Sequence, residues 1–332
     1  MLLSKTALSC RIAFTCLLTG AALVGPIAQA QYPEQPIKLL VPYPPGGATD
    51  VIGRVVGQAL AERLNTTVVV ENKSGASGSI GAADVAKSKP DGYTILLGAL
   101  TSHSIYQNLY AKNATYDLNK DFSPVAIVGR VPLVFVTHPS VQADSLSALI
   151  AAAKKSPGKY SMASAGNGSP QQMASALFGI TADVDFISVP YRGSGPAMTD
   201  LVGGQVNSMI ETVPAAQSFI KSGALNALAV TSAARAPTLP DVPTAKEAGL
   251  DNFEVSSMFG VLAPAGTPPE RINVLAEAVE NSLQDKSIQD SLLAQGVVVG
   301  YENPEQAGKT ISAEIQKWHD VIEKANIEEP AG

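Results

Sequence analysis

The chain has 332 residues, of which 45% are hydrophobic and 16% are charged, and its formal net charge is −6. This length and apolar content allow a large core, which we expect to be divided between two domains. An acidic chain without a basic cluster argues against nucleic acid as a partner.

The first 30 residues have the pattern of a secretory signal peptide. Lys5 and Arg11 precede an apolar run, and Ala28-Gln29-Ala30 provides the small residues expected before a cleavage site. We therefore predict cleavage after Ala30 and export. The remaining chain would carry 21 basic and 29 acidic side chains.

Both cysteines, Cys10 and Cys16, fall within this predicted signal peptide. The exported chain would therefore have no disulfide, no thiolate nucleophile and no cysteine metal ligand. Residues 13–15 fit a lipoprotein signal poorly, so we do not expect a lipid anchor.

The exported chain begins with an alternation of strands and helices. Buried strands are predicted at 37–41, 67–70 and 93–97, and helices at 51–64 and 80–88. This alternation predicts a parallel sheet with crossover helices.

The turn after the first strand is a candidate anion site. Its Gly46-Gly47 pair lets a ligand approach the backbone, and Thr49 or Asp50 suits the N-cap of the next helix. The N-terminal N–H groups of that helix would favour an anion. The alternative interpretation is a capped corner without a ligand, and this stretch alone does not decide between them.

Two further loops follow the second and third strands. Residues 72–79 form a loop of small residues. We interpret it either as a flexible connection or as a second anion-binding corner. The loop at 98–104 places Thr101, Ser102 and His103 at the same sheet edge as the first corner. His103 has no nucleophile paired with it in sequence, so we interpret it as structural.

A second α/β unit follows. Strands at 125–128 and 133–137 are predicted to be interrupted by residues 129–132, and a helix is predicted at 145–155. After a strand at 160–163, the chain enters a Gly-rich corner. Its Ser169-Pro170 pair and Gln172 predict a capping box, with Gln172 either bonding its own cap or contacting a ligand.

The remaining predicted elements continue this pattern. Strands are expected at 186–190, 206–211 and 225–231, and helices at 196–202, 243–248, 269–282 and 312–325. Tyr191-Arg192-Gly193 forms a third corner, and Glu211-Thr212 ends a strand. Two lobes with such corners would surround one small anion from both sides.

The sequence lacks the usual marks of catalysis. It contains no nucleophile elbow, HExxH, Walker or EF-hand pattern, and no dinucleotide fingerprint follows the first strand. His103, His138 and His319 lie far apart in sequence. We expect neither a metal nor a cofactor.

Several motifs, in order along the exported chain, resemble one family. They are residues 36–50, Val70-Glu71-Asn72-Lys73, Pro90-Asp91-Gly92-Tyr93-Thr94, Asp121-Phe122-Ser123-Pro124, Val189-Pro190-Tyr191-Arg192-Gly193, residues 200–206, residues 239–249 and residues 259–268. Through them the chain resembles the Bug family, the substrate-binding proteins of tripartite tricarboxylate transporters.

The resemblance implies an α/β, two-lobed periplasmic-binding-protein fold of type II, in which two Rossmann-like domains enclose a central ligand cleft. Residues 31–130 and 232–332 would form one domain and residues 131–231 the other. Hinge crossings would lie near Val131 and Thr231.

The resemblance also implies a carboxylate held between two arms. The arm of the first domain would comprise Tyr43, Gly47, Ala48, Thr49, Asp50, Thr101 and Ser102. The arm of the second would comprise Ser164, Ala165, Gly166, Asn167, Gly168, Ser169, Gln172, Tyr191, Glu211 and Thr212. Asp50 would mainly hold its corner rigid, and Glu211 could accept an ammonium group or exclude a second negative charge.

Three positions depart from the family pattern: Gln172 where histidine is frequent, Asn207 where aspartate is frequent and Met258 where tryptophan is frequent. Gln172 could change which chemical group of the ligand is recognised. Met258 removes any aromatic contact at its position, and the alternative reading for it is core packing.

These observations predict a monomeric, non-enzymatic periplasmic receptor for a small carboxylate or amino acid. It would close on its ligand and deliver it to transporter membrane subunits. A periplasmic sensor that presents its liganded form to a signalling receptor is the alternative. An enzyme on the same scaffold would require a catalytic set that the sequence does not contain.

Overall fold

The computed structural model describes residues 32–329, so the predicted signal peptide and its cleavage site lie outside the described residues. The strands are β1 Ile37–Val41, β2 Val68–Asn72, β3 Thr94–Ala99, β4 Phe122–Thr137, β5 Ser161–Ser164, β6 Ile187–Pro190, β7 Ser208–Thr212, β8 Asn226–Val230, β9 Ser256–Pro264 and β10 Val298–Glu302. The α-helices are α1 Ala48–Leu64, α2 Ser79–Ala86, α3 Leu100–Leu109, α4 Leu146–Lys155, α5 Pro170–Ala182, α6 Ser194–Val202, α7 Val213–Lys221, α8 Pro269–Leu283, α9 Lys286–Ala294 and α10 Pro304–Lys324.

Two sheets share the long strand β4. In lobe 1 the strand order is β2-β1-β3-β9-β4, and β10 pairs with the free side of β4. In lobe 2 the second half of β4 lies between β7 and β8, and β5 and β6 extend the sheet beyond β7. The predicted parallel pairing holds for β1–β3 and β5–β7, whereas β4 and β9 run antiparallel to their neighbours.

The predicted interruption of β4 at residues 129–132 is wrong. The strand continues through this stretch, and residues 129–132 pair with β9 in continuous register after two register shifts between 124 and 129. Gly129 is required there by close packing, because a Cβ at this position would lie 2.5 Å from the carbonyl oxygen of Val298 in β10. Pro132 pairs with Ser256 where the strand passes from one sheet to the other.

The register of β4 makes the two lobes face each other. Strands β3 and β4 are both antiparallel to β9, so they run in the same direction. The carboxyl end of β3 therefore lies on the side of the sheet where β4 leaves lobe 1. Because β7 runs antiparallel to β4, its last residue, Thr212, lies opposite Leu133, where β4 enters lobe 2. The carboxyl ends of β1–β3 and of β5–β7 are therefore the facing edges of a cleft.

The width of this cleft follows from the same register. Ala99 at the end of β3 and Gly129 of β4 both align with Phe259, and Thr212 aligns with Leu133. The four residue-to-residue steps from Gly129 to Leu133 span about 13 Å of strand. This separation leaves space for a small molecule between the two edges.

Each sheet is covered on both faces, which explains why its strands read as continuous apolar runs. In lobe 1, Leu39 packs in the core formed with α1 and α8, and the adjacent Leu40 packs against α2, α3 and α10. In lobe 2, Phe135 packs in the core on one face of the sheet, and the adjacent Val134 packs in the core on the other face.

Helix α10 bridges the lobes. Ala307 and Ile311 in its first half pack in the lobe 1 core with Leu40. Trp318 and Val321 in its second half pack in the lobe 2 core with Phe135. The chain thus connects its lobes through α10 as well as through β4 and β9.

Several predicted boundaries need correction. The predicted helix at 243–248 is a turn, in which Thr244 pairs with Val230 of β8 and its N–H donates to Glu247. The closing helix begins at Pro304 rather than at 312, because Asn303 and Gln306 form a capping box. Elements β9, α3, α9 and β10 were not predicted as such.

Within the described part of the chain, no helix combines the length and the apolar content that a membrane crossing requires.

Candidate ligand site

The first-lobe corner joins β1 to α1. Helix α1 begins at Ala48, and its N-cap is Gly47, which offers no side chain to the helix. The first helical bond runs from Val51 N–H to Gly47 C=O, so the N–H groups of Ala48, Thr49 and Asp50 have no acceptor within the helix. The predicted N-cap at Thr49 or Asp50 is therefore wrong, because the helix starts earlier.

Asp50 is buried and holds this corner from inside. Its carboxylate accepts from Gly46 N–H at 2.9 Å, from Arg54 Nε at 3.0 Å and from Asn72 Nδ2 at 2.9 Å. Burial opposes ionisation, but these donors outweigh it and hold the pKa of Asp50 below its usual value. Asp50 thus stabilises the turn, and its hydrogen bonds are all made to residues of the first lobe rather than towards the cleft.

Thr101 and Ser102 start α3 at the same edge. The hydroxyl of Thr101 lies 3.0 Å from Ser256 C=O and accepts from Met258 N–H at 3.1 Å. Its oxygen also lies 3.3 Å from Glu314 Oε1. Thr101 therefore ties α3 to β9 and α10, whereas Ser102 remains partly exposed.

Tyr43 and His103 pack together behind the first-lobe corner, with ring centroids 6.2 Å apart. The hydroxyl of Tyr43 is buried and has no partner at hydrogen-bond distance within residues 32–329. Burial raises its pKa, and the neighbouring Ser102 side chain offsets part of that rise. The Tyr43 hydroxyl is therefore a neutral donor available to an added acceptor.

The second-lobe loop after β5 is tightly turned. Gly166 has a φ of +117°, and a Cβ there would lie 2.8 Å from Tyr191 C=O. Ala165 C=O accepts from Gly193 N–H, so the loops after β5 and β6 are joined. Ser164 is buried at the start of this loop, and its hydroxyl has no partner among the described residues.

Ser169 caps α5 as predicted, since its Oγ accepts from Gln172 N–H. The reciprocal half of the predicted capping box is wrong. Gln172 Oε1 accepts from Gly168 N–H at 2.7 Å, and its Nε2 lies 3.3 Å from Asn167 Oδ1. Gln172 thus accepts a hydrogen bond from Gly168, the residue before the N-cap, rather than from the N-cap itself.

The other second-lobe positions follow β6 and end β7. The hydroxyl of Tyr191 donates to Asp200 on α6 at 2.8 Å. Glu211 is fully buried, and its Oε1 accepts from Thr212 N–H at 2.6 Å. Thr212 is the N-cap residue of α7, without a side-chain cap bond.

Sequence reasoning missed Gln171. Gln171 is buried at the start of α5, and its Nε2 donates to Glu211 Oε1 at 2.8 Å and lies 3.4 Å from Ser194 Oγ. The signal available was the position of Gln171 directly after Pro170. The capping-box pattern directed attention to Gln172 alone, because Gln172 occupies the N3 position of that pattern.

Helix caps differ between the facing edges and the rest of the chain. Helices α1, α2, α3, α6 and α7 start at the facing edges and have no side-chain cap. Helices α4, α9 and α10 are capped by Ser145, Asp285 and Asn303. Two helices do not follow this division, because α5 is capped by Ser169 and α8 is uncapped. The facing edges therefore present unpaired N–H donors to an anion.

A cavity of about 700 Å³ lies beside β4 and β9, on the side of α10. Met258, Arg130, Glu314 and Phe253 are among its lining residues, and none of the predicted site residues lines it. Met258 is buried in the lobe 1 core, which fits the packing interpretation of this position. Across residues 32–329, no group of three or more metal-ligating side chains occurs.

Comparison with known proteins gives consistent matches along the chain. The model of a family described as the tripartite tricarboxylate transporter family receptor matches residues 52–327. The chain is 40% identical to protein BugT of Bordetella pertussis over 305 residues, which cover 92% of this chain and 94% of BugT.

Solved structures match equally well. The chain is similar to Rpa4515 of R. palustris, solved with adipate, at 34% identity and a TM-score of 0.75, with 90% of this chain and 99% of the other covered. It is also similar to MatC of Rhodopseudomonas palustris, solved with bound malate, at 32% identity and a TM-score of 0.70. That match covers 88% of this chain and all of MatC.

Proposed function

This chain belongs to the tripartite tricarboxylate transporter family of receptors, also represented by the Bug proteins, and from this premise we propose that it captures a small organic anion between its lobes and delivers it to transporter membrane subunits. The family consists of periplasmic binding receptors, which are not enzymes. The two-lobed α/β fold expected from the sequence is confirmed by the match to related binding proteins.

The observation that carries the proposal is the chemistry of the facing edges. Uncapped helix N-termini in both lobes supply N–H donors, and the buried hydroxyls of Tyr43 and Ser164 lack partners within the described residues. Unpaired donors at buried positions are costly unless a ligand accepts from them. A carboxylate supplies acceptor oxygens to both edges, and Rpa4515 and MatC were solved with such acids.

The proposed mechanism is hinge closure. The ligand contacts both lobes only when they are close together, so binding shifts the equilibrium towards the closed form. The proposed crossings lie at Val131–Leu133 in β4 and at Val255–Ser256 before β9. The second crossing replaces the one expected near Thr231. Leu239 and Phe253 follow Thr231 and pack in the cores of lobe 2, which favours a crossing after them.

The exported form proposed here begins after Ala30, acts in the periplasm as a monomer and uses no cofactor. The proposed ligand-contacting groups are the α1 corner, Ser102, the loop from Ser164 to Ser169 and the Glu211-Thr212 strand end. Asp50, Thr101 and Gln172 would support these groups from behind.

A thermal-shift screen tests this function. The purified protein is unfolded and refolded to remove carried-over ligand, and then mixed with mono-, di- and tricarboxylates, aromatic acids and amino acids. A ligand present at 100 times its dissociation constant should add about 2.7 kcal/mol to the free energy of unfolding. We expect one class of acid to raise the melting temperature.

The same screen with Ser164→Ala and Ser140→Ala separates binding from general stability. Ser164→Ala should reduce the shift produced by the ligand, whereas Ser140→Ala, on an exposed turn of the same lobe, should leave it unchanged. A folded protein whose melting temperature responds to no acid would contradict the proposed function. Delivery is tested by deleting the gene and measuring uptake of the identified acid.

A further inference from the structure

We propose that Glu211 forms a subsite for the ammonium group of the ligand, so that the receptor takes amino acids rather than simple carboxylic acids. This inference rests on the proposed function and names the substrate class of the same cleft. It starts from one buried carboxylate that is only half satisfied.

The two oxygens of Glu211 differ in their surroundings. Oε1 accepts from Gln171 Nε2 at 2.8 Å and from Thr212 N–H at 2.6 Å. Oε2 is buried and has no hydrogen-bond partner within residues 32–329. No lysine, arginine or histidine in that range lies within 4.0 Å of the carboxylate to form an ion pair.

A fully buried carboxylate requires a partner, because burial removes the water that would otherwise stabilise its charge. Arg192, in the corner after β6, is exposed and forms no ion pair with Glu211. The missing partner is therefore a group that this part of the protein does not supply. An ammonium group on the ligand has the required charge and donors.

The position of Glu211 places this partner in the cleft. Glu211 is the penultimate residue of β7, and the following Thr212 aligns with Leu133 at the crossing between the lobes. Gln171 holds Oε1 from the start of α5 and also approaches Ser194, the first residue of α6. Gln171 is thus a positioning residue that leaves Oε2 as the free acceptor.

A protonated Glu211 would instead donate to a second carboxylate of a diacid. A matched ligand series distinguishes the two states, because a protonated Glu211 would favour the diacid and a charged Glu211 the amino acid. A ligand hydroxyl could donate to Oε2 but would leave the negative charge unpaired. The ammonium group is the partner that satisfies both the hydrogen bond and the charge.

Matched ligand series test this proposal. Succinate, malate and aspartate share one carbon skeleton and differ in a hydrogen, a hydroxyl or an ammonium group, and each other acid that binds in the screen is paired with its α-amino analogue. Calorimetric titration of the refolded protein should show the amino member of a set binding at least about tenfold more tightly than its parent acid. Equal or weaker binding of the amino member overturns the proposal without requiring any variant.

Glu211→Gln keeps the shape of the side chain and removes its charge. We expect this variant to lose the tenfold preference while it retains binding of the parent acid. Glu254→Gln is the matched control, because Glu254 is exposed and its side chain makes no hydrogen bond or ion pair in the described structure. This variant should behave like the wild type.

An equal loss of affinity for the parent acid and the amino acid in Glu211→Gln would overturn the ammonium assignment but leave the receptor function standing. Failure of every acid to bind the folded wild-type protein would overturn both.

Discussion

His103 shows how the first-lobe edge is built at the level of single residues. The side chain is fully buried, and its Nδ1 lies 2.7 Å from the hydroxyl of Tyr116. A Cβ on Gly98 would lie 2.9 Å from its Nε2, so the imidazole leaves space only for glycine two residues before α3. The ring is part of the support beneath Tyr43, in agreement with the structural interpretation of His103.

Burial lowers the pKa of His103 to about 4, below the ordinary value of 6.5. The unfolded chain therefore takes up a proton near pH 6.5 while the folded chain does not. The stability from the neutral imidazole is complete above pH 6.5 and is lost as the pH falls towards 4, by about 3 kcal/mol in total.

We predict that replacing His103 with Gln reduces this acid sensitivity. Urea denaturation at pH 7.5, 5.5 and 4.5 should show a steeper loss of stability in the wild type than in His103→Gln. His319→Gln is the control, because His319 is exposed. Parallel pH profiles for wild type and His103→Gln would contradict the assignment of this effect to His103.

Thr231 joins three chain segments at the level of elements. It is fully buried directly after β8, and its N–H donates to Leu133 C=O at 2.9 Å. Its hydroxyl accepts from Leu133 N–H at 3.0 Å and lies 2.6 Å from Val255 C=O. One side chain therefore links β4 and β8 to the segment that leads into β9.

Thr231→Val should destabilise the protein by about 1–3 kcal/mol, because the variant leaves the buried Leu133 N–H and Val255 C=O without this hydroxyl. Thr231→Ser retains the hydroxyl and should cost less. Urea unfolding of the three proteins measures the difference. A valine variant as stable as the wild type would show that the hydroxyl contributes nothing at this junction.

Helix α10 couples the lobes at the scale of the whole molecule. Trp318, the only tryptophan in the sequence, is buried in the lobe 2 core and donates through Nε1 to Glu314 Oε1 at 2.8 Å. The same Glu314 oxygen lies 3.3 Å from the hydroxyl of Thr101, which starts α3 at the lobe 1 edge. A movement of one lobe against the other must therefore act on this contact.

We predict that a ligand which closes the cleft changes the fluorescence emission of Trp318. The change should saturate at the same ligand concentration as the thermal shift. Glu314→Gln retains an acceptor oxygen for the indole N–H and should preserve the signal, whereas Glu314→Leu should alter the starting emission. A ligand that raises the melting temperature and leaves the emission constant would contradict coupling through α10.

The sequence by itself determined the local elements, the Gly-rich corners and the family. Strand β1 and the cap at Ser169 were predicted correctly because their signals, an apolar run and a Ser-Pro pair, act between neighbouring residues. Family motifs extend over residues 36–268, so membership and the two-lobed fold could also be inferred without coordinates.

Only the tertiary structure decided how those corners meet and which of their side chains are free. The continuity of β4 depends on pairing with β9 and β7, which are distant in sequence. Thr101, Asp50 and Gln172 are bound internally by partners that no local pattern specifies. The half-satisfied carboxylate of Glu211 is likewise a property of burial and of its contact with Gln171, because hydrogen-bond satisfaction is settled by packing in space rather than by order along the chain.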